Sequence, residues 1–381
     1  MLQSGKRLLV ESGFGPKDPQ ACRRILAVPN SASGPPDQPS EPRVSTIKDV
    51  AALAGVSFTT VSHVLNNTRP VSADARSRVL AAVDEIGYLP SAVARSLRKS
   101  ETKTVGVLVP NVQNPFFAEL VCGVEEYCRQ AGYSVLICNS DNDPKHQQQY
   151  MRTLLGKRVD GLLVSSAGDD EALARVFKMV SVPTVTVDRL VPGTRADRVA
   201  VNNEQGARSA VQYLIDLGHQ SIACISGPQE FSVARERIAG WRRALKDAGL
   251  PHGDELIVES DFSSAGGHLA AQRLLREQPG VTGIFASNDM MAFGTLRAAA
   301  EIGRPVPQRL SVIGFDDIEM SRYVFPALTS VGVSIKQLGA EAGRVLIDRI
   351  DNPDMALKNL LLVPRLVMRE STAAPPKNKK G

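Results

Sequence analysis

The chain has 381 residues, 43% of them hydrophobic and 22% charged, with a formal net charge of +5. That length exceeds the roughly 100 to 200 residues of a single domain, so two or three cooperating units with ordinary cores are expected. No apolar run reaches the ~18 residues a membrane helix needs and no secretory signal opens the chain, which excludes a membrane-bound class and points to the cytoplasm.

Cys22, Cys122, Cys128, Cys138 and Cys224 form no CxxC pair and no Cys/His cluster with zinc spacing. Neither a metal site nor a disulfide framework is expected, only reduced and mostly buried thiols, and no cofactor. The charge is uneven. Residues 43–103 carry nine Lys/Arg against five Asp/Glu, whereas residues 104–372 carry 28 against 31. A compact basic segment beside an acidic bulk fits phosphate neutralisation by one part of the chain, although a solvated surface gives the same count.

Residues 1–45 contain Ser31-Ala32-Ser33-Gly34-Pro35-Pro36-Asp37-Gln38-Pro39 and no sustained apolar periodicity, the composition of a disordered extension. Val44 directly precedes the first structured signal, so a start codon placed too far upstream would also account for it. From Thr46 the pattern is one of short helices, in a unit expected over 46–90. Thr46 caps a first helix with Asp49 in its opening turn, and Gly55 stops it. Ser57 caps a second, Phe58 to Leu65, ended by Asn66-Asn67; Ser72 and Asp74 open a third that runs to Ile86 before Gly87.

A linker is expected over 91–103, then a large unit over 104–372 and a disordered tail over 373–381. Its strands are expected at 105–109, 134–138, 161–164 and 184–187, with helices at 115–130 and 144–157. The rhythm repeats as helices 204–217, 233–248, 265–277 and 290–302 between strands 221–226, 255–259, 282–286 and 310–315. Apolar strands alternating with amphipathic helices mean parallel sheets covered on both faces, and there are too many strands for one modest sheet. The fold class is therefore α/β: an all-α helix-turn-helix headpiece followed by a two-lobed core whose ligands would sit at the carboxyl ends of the strands.

The turn Ala54-Gly55-Val56-Ser57 between two short helices is compatible with a helix-turn-helix. Val61 and Leu65 are spaced to pack inward, while Thr59 and His63 share a polar face with Ser62 nearby. Thr59 and His63 suit base edges, Phe58 a thymine methyl, and Ser57, Thr60, Ser62 and Asn66 phosphate oxygens; Thr46 and Arg69 are further DNA-binding candidates. Spacing alone leaves the alternative that Thr59 and His63 are merely exposed polar residues.

The run Thr46-Ile47-Lys48-Asp49-Val50-Ala51-Ala52-Leu53-Ala54-Gly55-Val56-Ser57, with Thr60-Val61-Ser62-His63-Val64-Leu65-Asn66, resembles the headpiece of the LacI/GalR family of repressors. Gly87-Tyr88-Leu89-Pro90-Ser91-Ala92-Val93-Ala94-Arg95-Ser96-Leu97 is similar to that family's hinge, and the likeness extends to about residue 370, nearest the purine and ribose repressors. The resemblance implies that Phe58, Thr59 and His63 read bases, and that Ala94 and Leu97 enter the minor groove, where Leu97 would unstack a flexible step and bend the duplex. Without it, Leu97 reads as a linker leucine packed on the core.

Asn114-Pro115-Phe116-Phe117, Asp188-Arg189, Arg237, Asp261-Phe262, Asn288-Asp289 and Phe315-Asp316-Asp317 all fall just after expected strands. Each alone reads as a cap or turn; together they suit a monosaccharide, with rings over its C–H faces and Asp, Asn and Arg at its hydroxyls. The resemblance, which extends to periplasmic ribose-type binding proteins, implies that Phe116, Phe117 and Phe262 hold the ring. It also implies that Asp188, Arg189, Arg237, Asn288 and Asp316 bond it, with Asn114 and Asp289 also in the effector site. Phe231 and Val233 replace polar residues of the purine-binding relatives, and Val333 replaces a common glutamine. A pentose or related polyol is therefore expected rather than a purine.

A transported-solute binding protein fits the core, but the headpiece and the absent secretion signal oppose it. An enzyme is not expected, since GxxxxGK[ST], HExxH and GxSxG are all missing. The expected protein is a homodimer on a palindromic DNA operator whose grip changes when effector closes the lobes; release is the first expectation, with corepression, as in the purine-type relatives, the alternative.

Overall fold

The computed structural model describes residues 45–89, 101–165, 175–177, 182–188 and 196–376 of the chain. The expected extension up to residue 44, most of the 91–103 linker and the last five residues lie outside the described residues.

The chain divides into two units, 1–90 and 91–381. In the first, α1 (Ile47–Ala54) opens on a reciprocal cap: the Thr46 amide donates to Asp49 Oδ2 at 2.8 Å and the Asp49 amide to Thr46 Oγ1 at 3.4 Å. Gly55 ends it at φ 62°, a left-handed conformation that glycine adopts without steric cost. Ser57 caps α2 (Phe58–Asn66), Asn67 closes it at φ 51°, and α3 (Ala73–Glu85) follows from Ser72. Val50, Ala54, Val61, Val64, Val79 and Ala82 form the small core. Val64 is 3% exposed, whereas Leu65, expected to be the inward partner of Val61, is only half-buried. The buried stripe of α2 is thus rotated toward Val64, and it takes Ser62 with it.

The second unit holds two six-stranded sheets. The first has the order β2-β1-β3-β4-β5-β11, all parallel, from β1 (Thr104–Val109), β2 (Ser134–Asn139), β3 (Gly161–Val164), β4 (Thr184–Val187), β5 (Asp197–Val201) and β11 (Asn359–Leu362). The second has the order β7-β6-β8-β9-β10-β12, from β6 (Ile222–Ser226), β7 (Ile257–Glu259), β8 (Gly283–Ala286), β9 (Ser311–Phe315), β10 (Thr329–Gly332) and the antiparallel edge strand β12 (Arg365–Val367). The first lobe is covered by α4 (Pro115–Gln130) and α5 (Pro144–Gly156), the second by α6 (Asn203–Asp216), α7 (Ser232–Asp247), α8 (Ser264–Glu277) and α9 (Asp289–Glu301). After β10 the chain returns to the first lobe as α10 (Ile335–Asp351), which packs on α4 and β3 to β5. The chain therefore passes between lobes after β5, after β10 and between β11 and β12. A 3-10 turn over Asp254–Leu256 takes the place of the first residues of the strand expected at 255–259. Of the described cysteines, Cys128 and Cys224 are buried, Cys138 is half-buried and Cys122 is exposed, so burial of the thiols is less general than expected.

A buried ion pair fixes the returning helix. Arg349 on α10 meets Asp197 on β5 through Nε to Oδ2 at 2.9 Å and Nη2 to Oδ1 at 3.0 Å, while Asp197 Oδ1 also accepts the Lys358 amide at 2.7 Å. The remaining Arg349 donors reach the carbonyls of Pro353, Met355 and Ala356, so this one side chain shapes the link to β11. Arg349→Met strands a buried carboxylate and is expected to cost about 3 to 5 kcal/mol, read as a lower urea midpoint for the core. Adding Asp197→Leu is expected to recover most of that loss; a single-variant loss under about 1 kcal/mol would show the pair to be dispensable.

Candidate ligand cleft and nucleic-acid interface

The carboxyl ends of the two sheets and the N-termini of their helices enclose a cavity of about 340 Å³, within the usual range for a small ligand. The first lobe contributes Asn111, Asn114, Phe116, Phe117, Asn142 and Asp188; the second contributes Glu230, Phe231, Val233, Arg237, Asp261, Phe262, Asn288 and Asp316. Eight of the ten residues expected in an effector site are thereby brought together. Arg189 lies outside the described residues. Asp289 does not line the cavity: its side chain is fully buried behind it. Asn111, Asn142 and Glu230 were not singled out by sequence, although Asn142 sits just beyond a strand end like the others.

Backbone strain collects around this cavity. Asn142 (φ 53°), Asp188 (φ 64°), Phe262 (φ 65°) and Asp316 (φ 107°) all take positive φ, where a side chain has a steric cost. Phe262 is the bulkiest of them. Asn288, which caps α9 through Met291 N at 2.9 Å, also donates its Nδ2 to the Phe262 carbonyl at 3.0 Å. Gly227 leaves room for the ring, since a Cβ there would lie 2.0 Å from Phe262 Cζ. The ring faces Phe231 at 6.2 Å between centroids, tilted 34°. Phe116 and Phe117 are each 5% exposed and meet edge to face, so they belong chiefly to the core and show the cavity only a narrow strip.

Arg237, 4% exposed, is the one cation of the cavity among the described residues. Its Nε donates to Asn203 Oδ1 at 2.8 Å and Nη1 to the Ser287 carbonyl; Nη2 stands 3.4 Å from Asp316 Oδ1, and the guanidinium lies 3.8 Å above the Phe315 ring. Burial pushes the Asp316 carboxyl well up; Arg237 opposes this, and Asp289 and Asp188 add to it. Burial also works to raise Asp261, but bonds from the Ser263 hydroxyl and amide outweigh it and hold that carboxyl below its ordinary range. Asp188 differs from all of these. It is 5% exposed, lines the cavity, and its Oδ1 has no hydrogen-bond partner among the described residues. A buried acceptor left so costs about 1 to 3 kcal/mol until a donor arrives.

Asp289 accepts the Ile318 amide at 2.9 Å and the hydroxyls of Ser321 and Ser330 at 2.7 and 2.5 Å, so it braces the loop behind Asp316. Val333 lines a separate cavity with Glu119 and Lys336 and not this one. Among the described residues no His, Cys, Asp and Glu group could hold a metal, and no helix is long and apolar enough to cross a membrane.

In the headpiece, Phe58 is 56% exposed and Thr59 and Arg69 are exposed, while His63 and Thr60 are half-buried. Several expected phosphate ligands are engaged in local bonds. Thr46 bonds Asp49, Ser57 Oγ takes the Thr60 amide at 3.1 Å and lies 2.9 Å from Thr60 Oγ1, and Asn66 donates to the Ser62 carbonyl at 2.8 Å. Ser62 departs from the expectation of a polar face: it is 7% exposed, carried inward by the rotated stripe of α2. Ala94 and Leu97 lie outside the described residues.

Burial raises the Asp289 carboxyl to about 7, with Ser330, Ser321 and the Ile318 amide opposing it. An unfolded Asp ionises near ~4, so between those values the native state binds the extra proton and stability falls as pH rises, levelling off above about 7. Asp289→Asn abolishes this titration. Its thermal midpoint relative to the parent is expected to improve steadily as pH is raised from about 4 to about 7; a constant difference would mean that Asp289 stays ionised in the fold.

The family described as periplasmic binding proteins and sugar binding domain of LacI family matches residues 102–368, and that of bacterial regulatory proteins, lacI family, matches residues 46–91. The HTH-type transcriptional repressor PurR of Vibrio vulnificus is 40% identical over 86% of this chain and 98% of its own length; the ribose operon repressor of Haemophilus influenzae is 42% identical over 86% and 98%. Among solved structures, a lac repressor dimer bound to operator and the anti-inducer ONPF superposes with a TM-score of 0.80 at 31% identity, covering 87% of this chain and all of that one. A LacI family regulator from Enterococcus faecium with bound ribose gives 0.64 at 32% identity, over 71% of this chain and 99% of that one. With both of its units matched in order, the chain belongs to the LacI family of bacterial regulatory proteins, as a DNA-binding transcriptional repressor with an effector-binding core.

Proposed function

We propose that the chain represses transcription as a homodimer on an inverted-repeat operator, and that a neutral monosaccharide, a pentose first, releases it by binding between the lobes. The observation that carries the effector class is the Asp188 Oδ1, unpartnered among the described residues, in a cavity whose described lining also holds Glu230, Asp261 and Asp316 and a single cation, itself paired. Such a site favours a ligand rich in hydroxyl donors and opposes an anion. Phe262 and Phe231 offer apolar faces to a sugar ring. A relative named ribose operon repressor and a LacI family regulator solved with bound ribose support the same class.

Operator contact falls to Phe58, Thr59, His63 and Arg69, with Ser57, Thr60 and Asn66 at phosphates, Thr46 as a further DNA contact, and Ala94 and Leu97 in the minor groove; Ser62, turned inward, drops out of the set; the headpiece spans 46–90, the hinge 91–103 and the core 104–372. On this reading the chain works in the cytoplasm and binds without catalysing a reaction. A second reading, a purine corepressor, is favoured by the PurR relatives and opposed by the apolar Phe231 and Val233 in the cavity wall.

Binding to a duplex obtained by selection from random sequence, titrated with pentoses, hexoses, pentose phosphates and purines, tests both. A neutral pentose is expected to bind and release DNA, its phosphate to bind at least about tenfold more weakly, and Asp188→Ala to cost the pentose about tenfold or more. DNA affinity is expected to drop steeply with salt. Binding of purines alone, with enhanced DNA affinity, would overturn the sugar reading.

A further inference from the structure

The end of α2 places a second side chain against His63, one of the residues proposed above to read a base. Asn67 closes the helix in the left-handed conformation, and its amide and that of Thr68 both donate to the His63 carbonyl. The reversal sets Thr68 Oγ1 2.7 Å from His63 Nδ1. Arg76 on α3 donates to Asn67 Oδ1 at 3.3 Å, which ties the turn to the third helix. A hydroxyl can donate its one proton to Nδ1 or accept a proton from it, and this distance suits either arrangement. A ring that accepts at Nδ1 carries its own proton at Nε2, because the neutral imidazole has one donor and one acceptor nitrogen.

We propose that Thr68 is a positioning residue that holds His63 as the Nε2–H tautomer and so commits it to a hydrogen-bond acceptor on a base edge. Guanine O6 and N7, adenine N7 and thymine O4 offer such an acceptor in the major groove, whereas the cytosine N4 amine is a donor and is refused. Thr68 touches no base in this account; it acts through the orientation and protonation pattern of the ring. The proposal rests on the reading of α2 as the DNA-contacting helix.

The ring nitrogens of the full-length protein, labelled with ¹⁵N at histidine, report the tautomer directly in mildly alkaline solution, and His63→Gln identifies the resonances. The parent is expected to show Nδ1 unprotonated and Nε2 protonated, Thr68→Val a mixture of the two tautomers, and Thr68→Ser the parent pattern. In selections from random duplexes, Thr68→Val is expected to lose roughly tenfold discrimination at one position in each half-site with the other positions unchanged, and Thr68→Ser to keep it. A merely structural role would weaken all positions together. Protonated Nδ1 in the parent, or an unchanged tautomer and base preference in Thr68→Val, would overturn the proposal. A parent that selects no duplex sinks the reading of α2 instead, while the ring measurement, made without DNA, still decides whether Thr68 holds the tautomer.

Discussion

The cleft depends on one buried guanidinium. An unpaired cation at the position of Arg237 would cost several kcal/mol, and it is tolerated because Asn203, the Ser287 carbonyl and Asp316 take its donors over the face of Phe315. These partners come from different parts of the chain. Asn203 opens α6 directly after the passage from β5, Ser287 follows β8 and Asp316 follows β9. A single side chain therefore pins the connection arriving from the first lobe to two strand ends of the second, and it keeps the Asp316 carboxyl beside a positive charge in a place that otherwise disfavours ionisation.

From this follows an asymmetry between the walls. In the second lobe several polar groups are engaged before any ligand arrives: Asn288 caps a helix and holds Phe262, Asp261 accepts from Ser263, and Asp289 braces the loop behind Asp316. That wall is rigid and its strain is held by several bonds at once. Across the cleft, Asp188 Oδ1 is buried without a hydrogen-bond partner among the described residues. A ligand that stacks on Phe262 and donates to Asp188 must touch both lobes, so part of its binding energy falls on the relation between them, which is the differential contact a conformational response requires.

What sequence could deliver divides along the same line. Strand ends were legible because apolar runs stop abruptly, and with them eight of the ten expected cleft residues, since ligands of parallel sheets gather there by topology. Asp289 was misplaced because two neighbours on a helix start, Asn288 and Asp289, face opposite ways, one to the cavity and one to the loop behind it; adjacency in sequence carries no such direction. Val333 failed for a related reason, as it lies where the chain passes between lobes and the side of that passage it faces is set by long-range packing. The pairing of Arg349 with Asp197, 152 residues apart, had no local signal at all.

The headpiece shows why some residues on its surface carry information and others do not. Ser57, Thr46 and Asn66 are hydrophilic and outward, yet Thr46 and Ser57 use their side chains to cap helix amides that would otherwise be unpaired, and Asn66 bonds back to the Ser62 carbonyl within its own helix. Selection for a fold and selection for a partner thus compete for the same atoms. Phe58 and Thr59, whose side chains no cap needs, stay exposed. His63 falls between the two classes: one ring nitrogen is engaged by Thr68 and the other is not, so a contact made for local order also sets what the free nitrogen can recognise. Specificity at such a position is a property of a pair of residues rather than of the one that would touch the base.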